Sequence, residues 1–447
     1  MAASQRRLTG PSPMQMLRYG SPTLASGIPC GRRCRRGSWG PGASLEVRRQ
    51  LGGQAANDRG CRAGLCEVAA AEARTLAFFR QPAVRRHSVW PMGSSPPLLD
   101  RLGRAPGVLR MSLTARCNLA CPYCCPDDRD PPGLLRLNQR LELVRAAVGL
   151  GVRTLRLTGG EPLLHRELEE LIAALQPLRQ GSPALGEIAL TSNGQLLTAE
   201  RARALRAAGL DRLSLSLDGA DGVSVARMAG LGADEQRGEL VLERVLRAID
   251  HARAAGFDPG QGQLKLNAVI RRGWNEDQLL PLARLARQQG LELRLIEFMD
   301  VGSRNGWSLE QVLPAQTMLE RISQCWPLEP QGRPQNGTAS RWRYRDGGGW
   351  LGLVASVTQP FCGDCDRLRI TADGVAYTCL FAAPGDGVDL RPWLQPETPA
   401  EALSGVLSRI WRQRGDRYSE ERQQRSGASE GMAARGIGHA EMAYLGG

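Results

Sequence analysis

Lysine is nearly missing from this chain. Of its 58 basic residues, Lys265 alone is lysine and the other 57 are arginine. A bias that strong reflects genome composition, and it makes the single lysine informative. On a solvated surface arginine would serve as well; a compact ammonium differs from a planar guanidinium where space is tight or a point charge must meet a phosphate. Long apolar runs are also missing. None reaches the roughly 20 residues of a membrane span, so the expectation is a soluble, cytoplasmic protein with no membrane partner. Acids are scarce at the start: residues 1–91 hold 15 arginines against Glu46, Asp58, Glu67 and Glu72, a net +11 of the chain's +13. The remaining chain is therefore close to neutral, which argues against nucleic acid as its partner.

Residues 1–91 are rich in Gly, Ser, Pro and Arg and lack sustained periodicity, the composition of a disordered tail. An organellar transit peptide would also be Arg-rich and acid-poor, but the Gly, Pro and Cys content speaks against a targeting helix. The favoured reading is a disordered basic extension or a mis-assigned start, with translation beginning at Met92. The twelve cysteines fall in clusters rather than pairs, which reads as a metalloprotein of a reducing compartment and not a disulfide scaffold. Four of them, Cys30, Cys34, Cys61 and Cys66, lie in this tail and are given no role.

From Val108 onward strands alternate with helices. Strands are expected at Val108–Thr114, Thr154–Thr158, Ile188–Ser192, Leu213–Leu217, Leu264–Ile270 and Leu291–Phe298. Helical periodicity falls between them, at Leu137–Val148, Leu168–Leu175, Ala199–Ala208, Leu240–Ala254 and Gln278–Gln288. Such alternation implies parallel strands with right-handed crossovers. Six units make an α/β fold, a partial (β/α)6 TIM-type barrel open on one side, spanning residues 92–300. Residues 301–447 then form a C-terminal cluster-binding extension that also carries substrate contacts and a Gly-Gly tail. In barrels of this kind chemistry sits at the carboxyl ends of the strands.

The loop after the first strand, LTARCNLACPYCCP, holds Cys117, Cys121 and Cys124 in a C-x3-C-x2-C spacing. Three thiolates on one loop suit three corners of a four-iron, four-sulfur cube, whose full ligation takes four cysteines; one iron is left open to bind something. Zinc usually takes four N or S ligands in paired C-x2-C units, and neither a nearby histidine nor Cys125, which abuts Cys124, completes such a set. The spacing resembles the radical S-adenosylmethionine (SAM) superfamily motif, with Tyr123 as its aromatic residue. One strand later comes Gly159-Gly160-Glu161-Pro162, which permits close backbone approach and resembles the superfamily's GGE motif at the SAM amino group. By the same resemblance Tyr123, Gly160, Glu161, Ser216 and Met299 fall on SAM-contacting positions.

A second signature follows in the C-terminal region, Cys362-x2-Cys365-x13-Cys379, again three thiolates and so plausibly a second cluster with one open iron. Between them Arg367 and Arg369 sit two apart; on an extended strand they point to one face and form an anion site suited to a triphosphate. The chain ends in Gly446-Gly447.

Taken together, Gly107–Gly447 resembles the GTP 3′,8-cyclases of molybdenum cofactor biosynthesis, through the C-terminal C-x2-C-x13-C, the Arg367-Leu368-Arg369 string, the Gly-Gly end, Phe298-Met299-Asp300-Val301-Gly302 with Asn305-Gly306-Trp307, and Arg227-Met228-Ala229-Gly230. The resemblance implies two [4Fe-4S] clusters, on Cys117, Cys121 and Cys124 and on Cys362, Cys365 and Cys379, with SAM as co-substrate. It places GTP on Arg110, Arg156, Thr191, Lys265, Arg367, Leu368 and Arg369, and it makes Gly446 and Gly447 assist catalysis. It implies that a 5′-deoxyadenosyl radical takes hydrogen from C3′ of GTP and that C3′ then joins C8. The partners expected are GTP, an electron donor such as flavodoxin or ferredoxin, a downstream cyclic pyranopterin monophosphate synthase and a possible homodimer mate. The sequence departs from the family pattern at Asp366, where Asn is usual, at Cys125-Pro126 and at Thr154; no cluster ligand or core arginine is affected. A peptide-modifying radical SAM maturase with two clusters is the nearest rival, although such enzymes typically carry more C-terminal cysteines and no Gly-Gly end. A basic nucleic-acid-binding metalloprotein and a non-catalytic zinc protein are the others.

Overall fold

A computed structural model describes residues 97–426 and 438–446. The tail discussed above, its four cysteines, Met92 and Gly447 lie outside the described residues.

The strands are written by their side-chain alternation. Thr154–Thr158 reads TLRLT and Leu264–Ile270 reads LKLNAVI. In each, leucines alternate with polar residues, so one face of the sheet is apolar and the other is not. Leu109, Met111, Leu155, Leu157, Leu213, Leu215 and Leu293 are all fully buried beneath the helices. Each such side chain contributes about 2 kcal/mol by leaving water. The opposite face carries Arg110, Arg156, Thr191, Arg212, Lys265, Asn267 and Arg294. A closed barrel fills its interior with branched apolar layers. Charged residues at those positions cannot pack that way, so the interior of this sheet is a polar lumen.

Six parallel strands run in order β1 (Val108–Ser112), β2 (Thr154–Thr158), β3 (Glu187–Ser192), β4 (Arg212–Ser216), β5 (Leu264–Ile270) and β6 (Glu292–Glu297). The helices between them are α1 (Leu137–Gly149), α2 (Leu168–Ala174), α3 (Ala199–Ala208), α4 (Gly222–Met228), α5 (Glu235–Ala254) and α6 (Leu279–Gln288). Several open on side-chain caps: Thr198 accepts from the Arg201 amide, Asp221 from Ser224 and Asp234 from Arg237. Helix α4 was not anticipated. It is seven residues long and begins on glycine, so it shows no sustained helical period.

The partial barrel is as expected, and the C-terminal region proves to be built into the same sheet. After α7 (Ala315–Ser323) come β7 (Leu328–Gly332), β8 (Ser340–Tyr344) and β9 (Trp350–Val354), and β9 pairs parallel with β6. At the other edge β10 (Arg367–Ile370) pairs parallel with β1, followed by β11 (Val375–Tyr377) and β12 (Val388–Asp389). The sheet order is β12-β11-β10-β1-β2-β3-β4-β5-β6-β9-β8-β7. Both edges of the six-stranded core are thereby extended, which covers otherwise unpaired backbone groups. Three helices complete the described chain: α8 (Ala400–Gln413), α9 (Tyr418–Ser426) and α10 (Met442–Leu445). Among the described residues no helix is long and apolar enough to cross a membrane.

Candidate active site

The loops at the carboxyl ends of the strands interlock. Gly160 N–H donates to the Thr114 carbonyl at 2.7 Å and Glu161 N–H to the Arg116 carbonyl at 2.9 Å. A Cβ on Gly160 would stand 2.1 Å from the Arg116 oxygen, so only glycine lets the second loop lie against the cysteine loop. The close approach anticipated for this glycine pair is thus made first of all to protein backbone. Glu161 is buried, and its carboxylate accepts from Ser192 Oγ, the Asn193 amide and the Leu163 amide. It braces the loop after β3, whose Asn193 Nδ2 lies 3.6 Å from Cys117 Sγ. Tyr123 donates its hydroxyl to Asp218 at 2.7 Å, and the other oxygen of Asp218 accepts from the Val269 amide. Ser216 ends β4, and Met299 follows β6. The five residues expected to contact SAM therefore ring the end of the sheet that carries the cysteines.

Cys117, Cys121 and Cys124 lie within electrostatic reach of one another. Burial pushes the Cys124 thiol up to about 12, and Cys117, Cys125, Glu441 and Asp218 add to it. Burial likewise raises Cys121, with Asp218 as the next cause. Burial raises Asp218 itself to about 6. No arginine is among the leading influences on Cys117, Cys121 or Cys124. Burial disfavours the thiolates unless a cation is close, and three cysteines on one loop are a donor set that fits three irons of a cube.

The second trio is built differently. Cys362 opens a single 3-10 turn just before β10 and Cys365 caps it, and Cys379 follows β11. Burial would raise Cys365, but Arg367 and Arg414 outweigh it and bring the thiol down to about 7. Arg414 donates to Cys365 Sγ at 2.9 Å and to its carbonyl at 2.6 Å, while Arg104 donates to the Cys362 carbonyl at 2.7 Å. Cys379 accepts from the Phe381 amide at 3.5 Å. Donors aimed at the sulfurs fit an anionic cluster. Among the described residues no three His, Cys, Asp or Glu side chains are gathered closely enough to hold a single metal ion.

The lumen between the trios is cationic. Register places Arg369 beside Arg110 and Arg110 beside Arg156, so three guanidinium groups form a row across β10, β1 and β2. Burial, then Arg369, Arg156 and Arg367, holds Arg110 well below the ordinary arginine range. Arg156 is brought down to about 9 by burial and then by Arg212 and Arg294, and its Nε has no hydrogen-bond partner. Arg369 falls to about 10 through burial and Arg367. Leu368 lies buried between the two arginines on the opposite face of β10, so it can meet a lumen ligand only through its backbone. Thr191 faces Ser214 across the β3–β4 pair, and Ser214 faces Lys265 across the next. Lys265 is buried and ion-paired with Glu292 at 3.1 Å; Glu292 also holds Arg294 and Arg341. Burial and Arg294 keep Lys265 down at about 8 in spite of that carboxylate. Like charges in a row have the chemistry that suits a polyanion.

Sequence reasoning missed Arg212, Arg294 and Glu292, although their strand alternation carried the signal. It missed Arg414 and Asp218 as partners of site residues, and for Arg414 no local signal exists. Gly446 lies against the arginine row and β2: its carbonyl accepts from Arg369 at 3.2 Å, and a Cβ would stand 2.6 Å from the Thr158 methyl.

The chain matches the Radical SAM superfamily family model over residues 111–286 and the Molybdenum Cofactor Synthesis C family model over residues 291–420. A GTP 3′,8-cyclase of Synechococcus sp. (strain CC9605) is 58% identical over 360 residues, 80% of this chain and 100% of that protein. One from Acidothermus cellulolyticus is 42% identical, covering 78% of this chain and 99% of that protein. Among solved structures, Streptococcus suis SuiB bound to precursor peptide SuiA aligns over 78% of each chain at 14% identity, with a TM-score of 0.48, too distant to bear on function. The identity to its sequence relatives along their whole length, on a cysteine loop and an arginine-lined lumen of this build, shows that the chain belongs to the GTP 3′,8-cyclase family of the radical SAM superfamily.

Proposed function

We propose that this chain converts GTP to 3′,8-cyclo-7,8-dihydro-GTP, with SAM cleaved to 5′-deoxyadenosine and methionine, as a lyase of molybdenum cofactor biosynthesis. The observation that carries the reading is the buried row Arg369–Arg110–Arg156 with Arg367 beside it, lying between two cysteine trios. Cys117, Cys121 and Cys124 would hold one [4Fe-4S] cluster and Cys362, Cys365 and Cys379 the other. When bound, the first cluster with SAM supplies the radical that starts the reaction. Tyr123, Gly160, Glu161, Ser216 and Met299 are the proposed SAM contacts. Glu161 acts by fixing the Asn193 loop, and Tyr123 is fixed by Asp218. Arg110, Arg156, Arg367, Arg369 and Lys265, with Thr191 and the Leu368 backbone, bind and orient the triphosphate, which fixes where the ribose and base of GTP lie. Gly446 approaches the lumen where a side chain would collide with Thr158 of β2; Gly447 is assigned its part with it on family resemblance alone.

The peptide-modifying maturase is not favoured, because relatives that match along their full length carry the cyclase name. We further propose, on family resemblance, a flavodoxin or ferredoxin as electron donor, cyclic pyranopterin monophosphate synthase as the consumer of the product, a cytoplasmic location and a homodimer. On composition we retain residues 1–91 as a basic extension, 92–300 as the SAM barrel and 301–447 as the second-cluster region.

The test is anaerobic reconstitution with iron and sulfide, then incubation with SAM, GTP and a reductant, measuring 5′-deoxyadenosine and cyclised GTP together. About one product per 5′-deoxyadenosine, dependent on GTP, is expected, since the nucleoside is spent as a co-substrate. SAM cleavage without GTP conversion would send the substrate search toward peptides. Bound zinc with no iron uptake would end both readings.

A further inference from the structure

The motif Met299-Asp300-Val301-Gly302-Ser303-Arg304 leaves most of its residues outside the lumen just described. Its far end meets the C-terminal tail. Glu441 Oε1 collects three donors there: Arg304 Nε at 3.1 Å, the Ser303 amide at 3.0 Å and Ser303 Oγ at 3.2 Å. Gly302 has φ +81°, and a Cβ on it would stand 2.2 Å from Glu441 Oε2. That position is shaped around the carboxylate of the tail. The same guanidinium turns its Nη2 to the first cysteine loop, 2.9 Å from Asp127 Oδ1 and 2.8 Å from the Cys125 carbonyl.

We propose that Arg304 and Glu441 form a clasp that seats the C-terminal tail on the first cysteine loop, making Arg304 a positioning residue for Gly446. The rest of the tail is held by contacts that the clasp aligns. His439 Nδ1–H donates to the Asp300 carbonyl at 2.7 Å, and the Ala440 amide to the Ala382 carbonyl at 2.9 Å. Leu445 is buried in a small cluster with Tyr377, Ala382 and Ala440. Arg369 then meets the Gly446 carbonyl.

Exposure divides the labour within the clasp. Arg304 and Asp127 are 46% and 41% exposed, so their pair alone is weak, whereas Glu441 is only 14% exposed. The planar fork of arginine reaches three acceptors on two segments at once, which a single ammonium cannot.

The seating contact is tested on the full chain by hydrogen exchange with mass spectrometry, following the peptide that contains residues 438–446, for wild type, Glu441→Gln, Arg304→Ala and Arg304→Lys. Glu441→Gln is expected to speed tail exchange about tenfold, Arg304→Ala several-fold and Arg304→Lys by less. Peptides from α5 should be unchanged, which separates loosening of the tail from misfolding. Should Glu441→Gln disturb α5, Arg304→Lys reads the same contact with charge retained. The second arm rests on the proposed cyclase reaction. In reconstituted enzyme the variants should lower kcat for cyclised GTP with little change in KM for GTP, while 5′-deoxyadenosine forms in excess of product. Unchanged tail exchange in all three variants would overturn the clasp, whatever the activity. A loosened tail with full coupling of the two products would overturn its part in the reaction. A wild type that makes no cyclised GTP would count against the cyclase reading, leaving the exchange arm to decide the clasp.

Discussion

The two cysteine trios have the same number of sulfurs and different surroundings, and the difference is sharpest at Cys365. Around Cys117, Cys121 and Cys124 the charged neighbours are Asp218, Glu161 and Glu441. In the second trio Arg367 and Arg414 act on Cys365 and lower it, while Cys379 has Asp416 as well as Arg369 nearby and Cys362 has Glu420. Ligand count alone therefore does not say what a site does. An acid-lined trio suits a co-substrate bearing a sulfonium cation. A trio with arginines beside Cys365, next to a strand whose Arg367 and Arg369 share the lumen face, suits a polyphosphate neighbour. The positive charge beside Cys365 continues into the row on β10, β1 and β2, so the proposed cluster site and the proposed substrate site share one electrostatic field there.

The largest expected effect separates the trios outright. Cys121→Ser and Cys365→Ser should each lower reconstituted iron from about eight atoms per chain to about four. Cys121→Ser should abolish 5′-deoxyadenosine formation, whereas Cys365→Ser should leave SAM cleavage and lose the cyclised product. Equal loss of both activities in both variants would erase the distinction. Next, replacing Arg367 and Arg369 together by Ala should keep both clusters, as judged by iron content and visible absorbance, and cut GTP turnover at least about a hundredfold. Full turnover would remove GTP from the row. A smaller change is expected from Lys265→Gln, about a tenfold rise in KM for GTP with SAM cleavage intact, because Arg294 and Arg341 still hold Glu292.

The smallest effect is on stability. Burial alone would raise the Glu292 carboxyl, but Arg294 and Lys265 bring it down to about 2 from an ordinary 4.5. A depressed acid stabilises the fold above its unfolded pKa and loses that contribution as pH falls through the folded one. Acid denaturation between pH 4.5 and about 2 should therefore be shallower in Glu292→Gln than in wild type, measured by circular dichroism.

Much of the barrel was legible because its information is local. Thr154–Thr158, Ala199–Ala208 and Leu264–Ile270 fall where periodicity places them. The first cysteine trio was legible for the same reason, since three sulfurs on one loop are set by covalent spacing, whereas Cys379 is returned toward Cys365 by the β10–β11 pairing. Helix α4 escaped because seven residues opening on glycine show no sustained period. Arg414 escaped because nothing within its own segment points to Cys365.

By itself, then, the sequence determined the alternation of strands and helices, the two sets of three sulfurs and the same-face placement of Arg367 and Arg369. Each of these is a matter of residue type and short spacing. Only the tertiary structure decided that β10 lies beside β1, which brings Arg369 against Arg110 and turns two separate arginine strings into one row. It also decided that Glu292 neutralises Lys265 in part and that Glu441 reaches Arg304. Those pairings depend on register and packing between segments far apart in the chain, where many partners share the same local pattern and only the folded sheet selects among them.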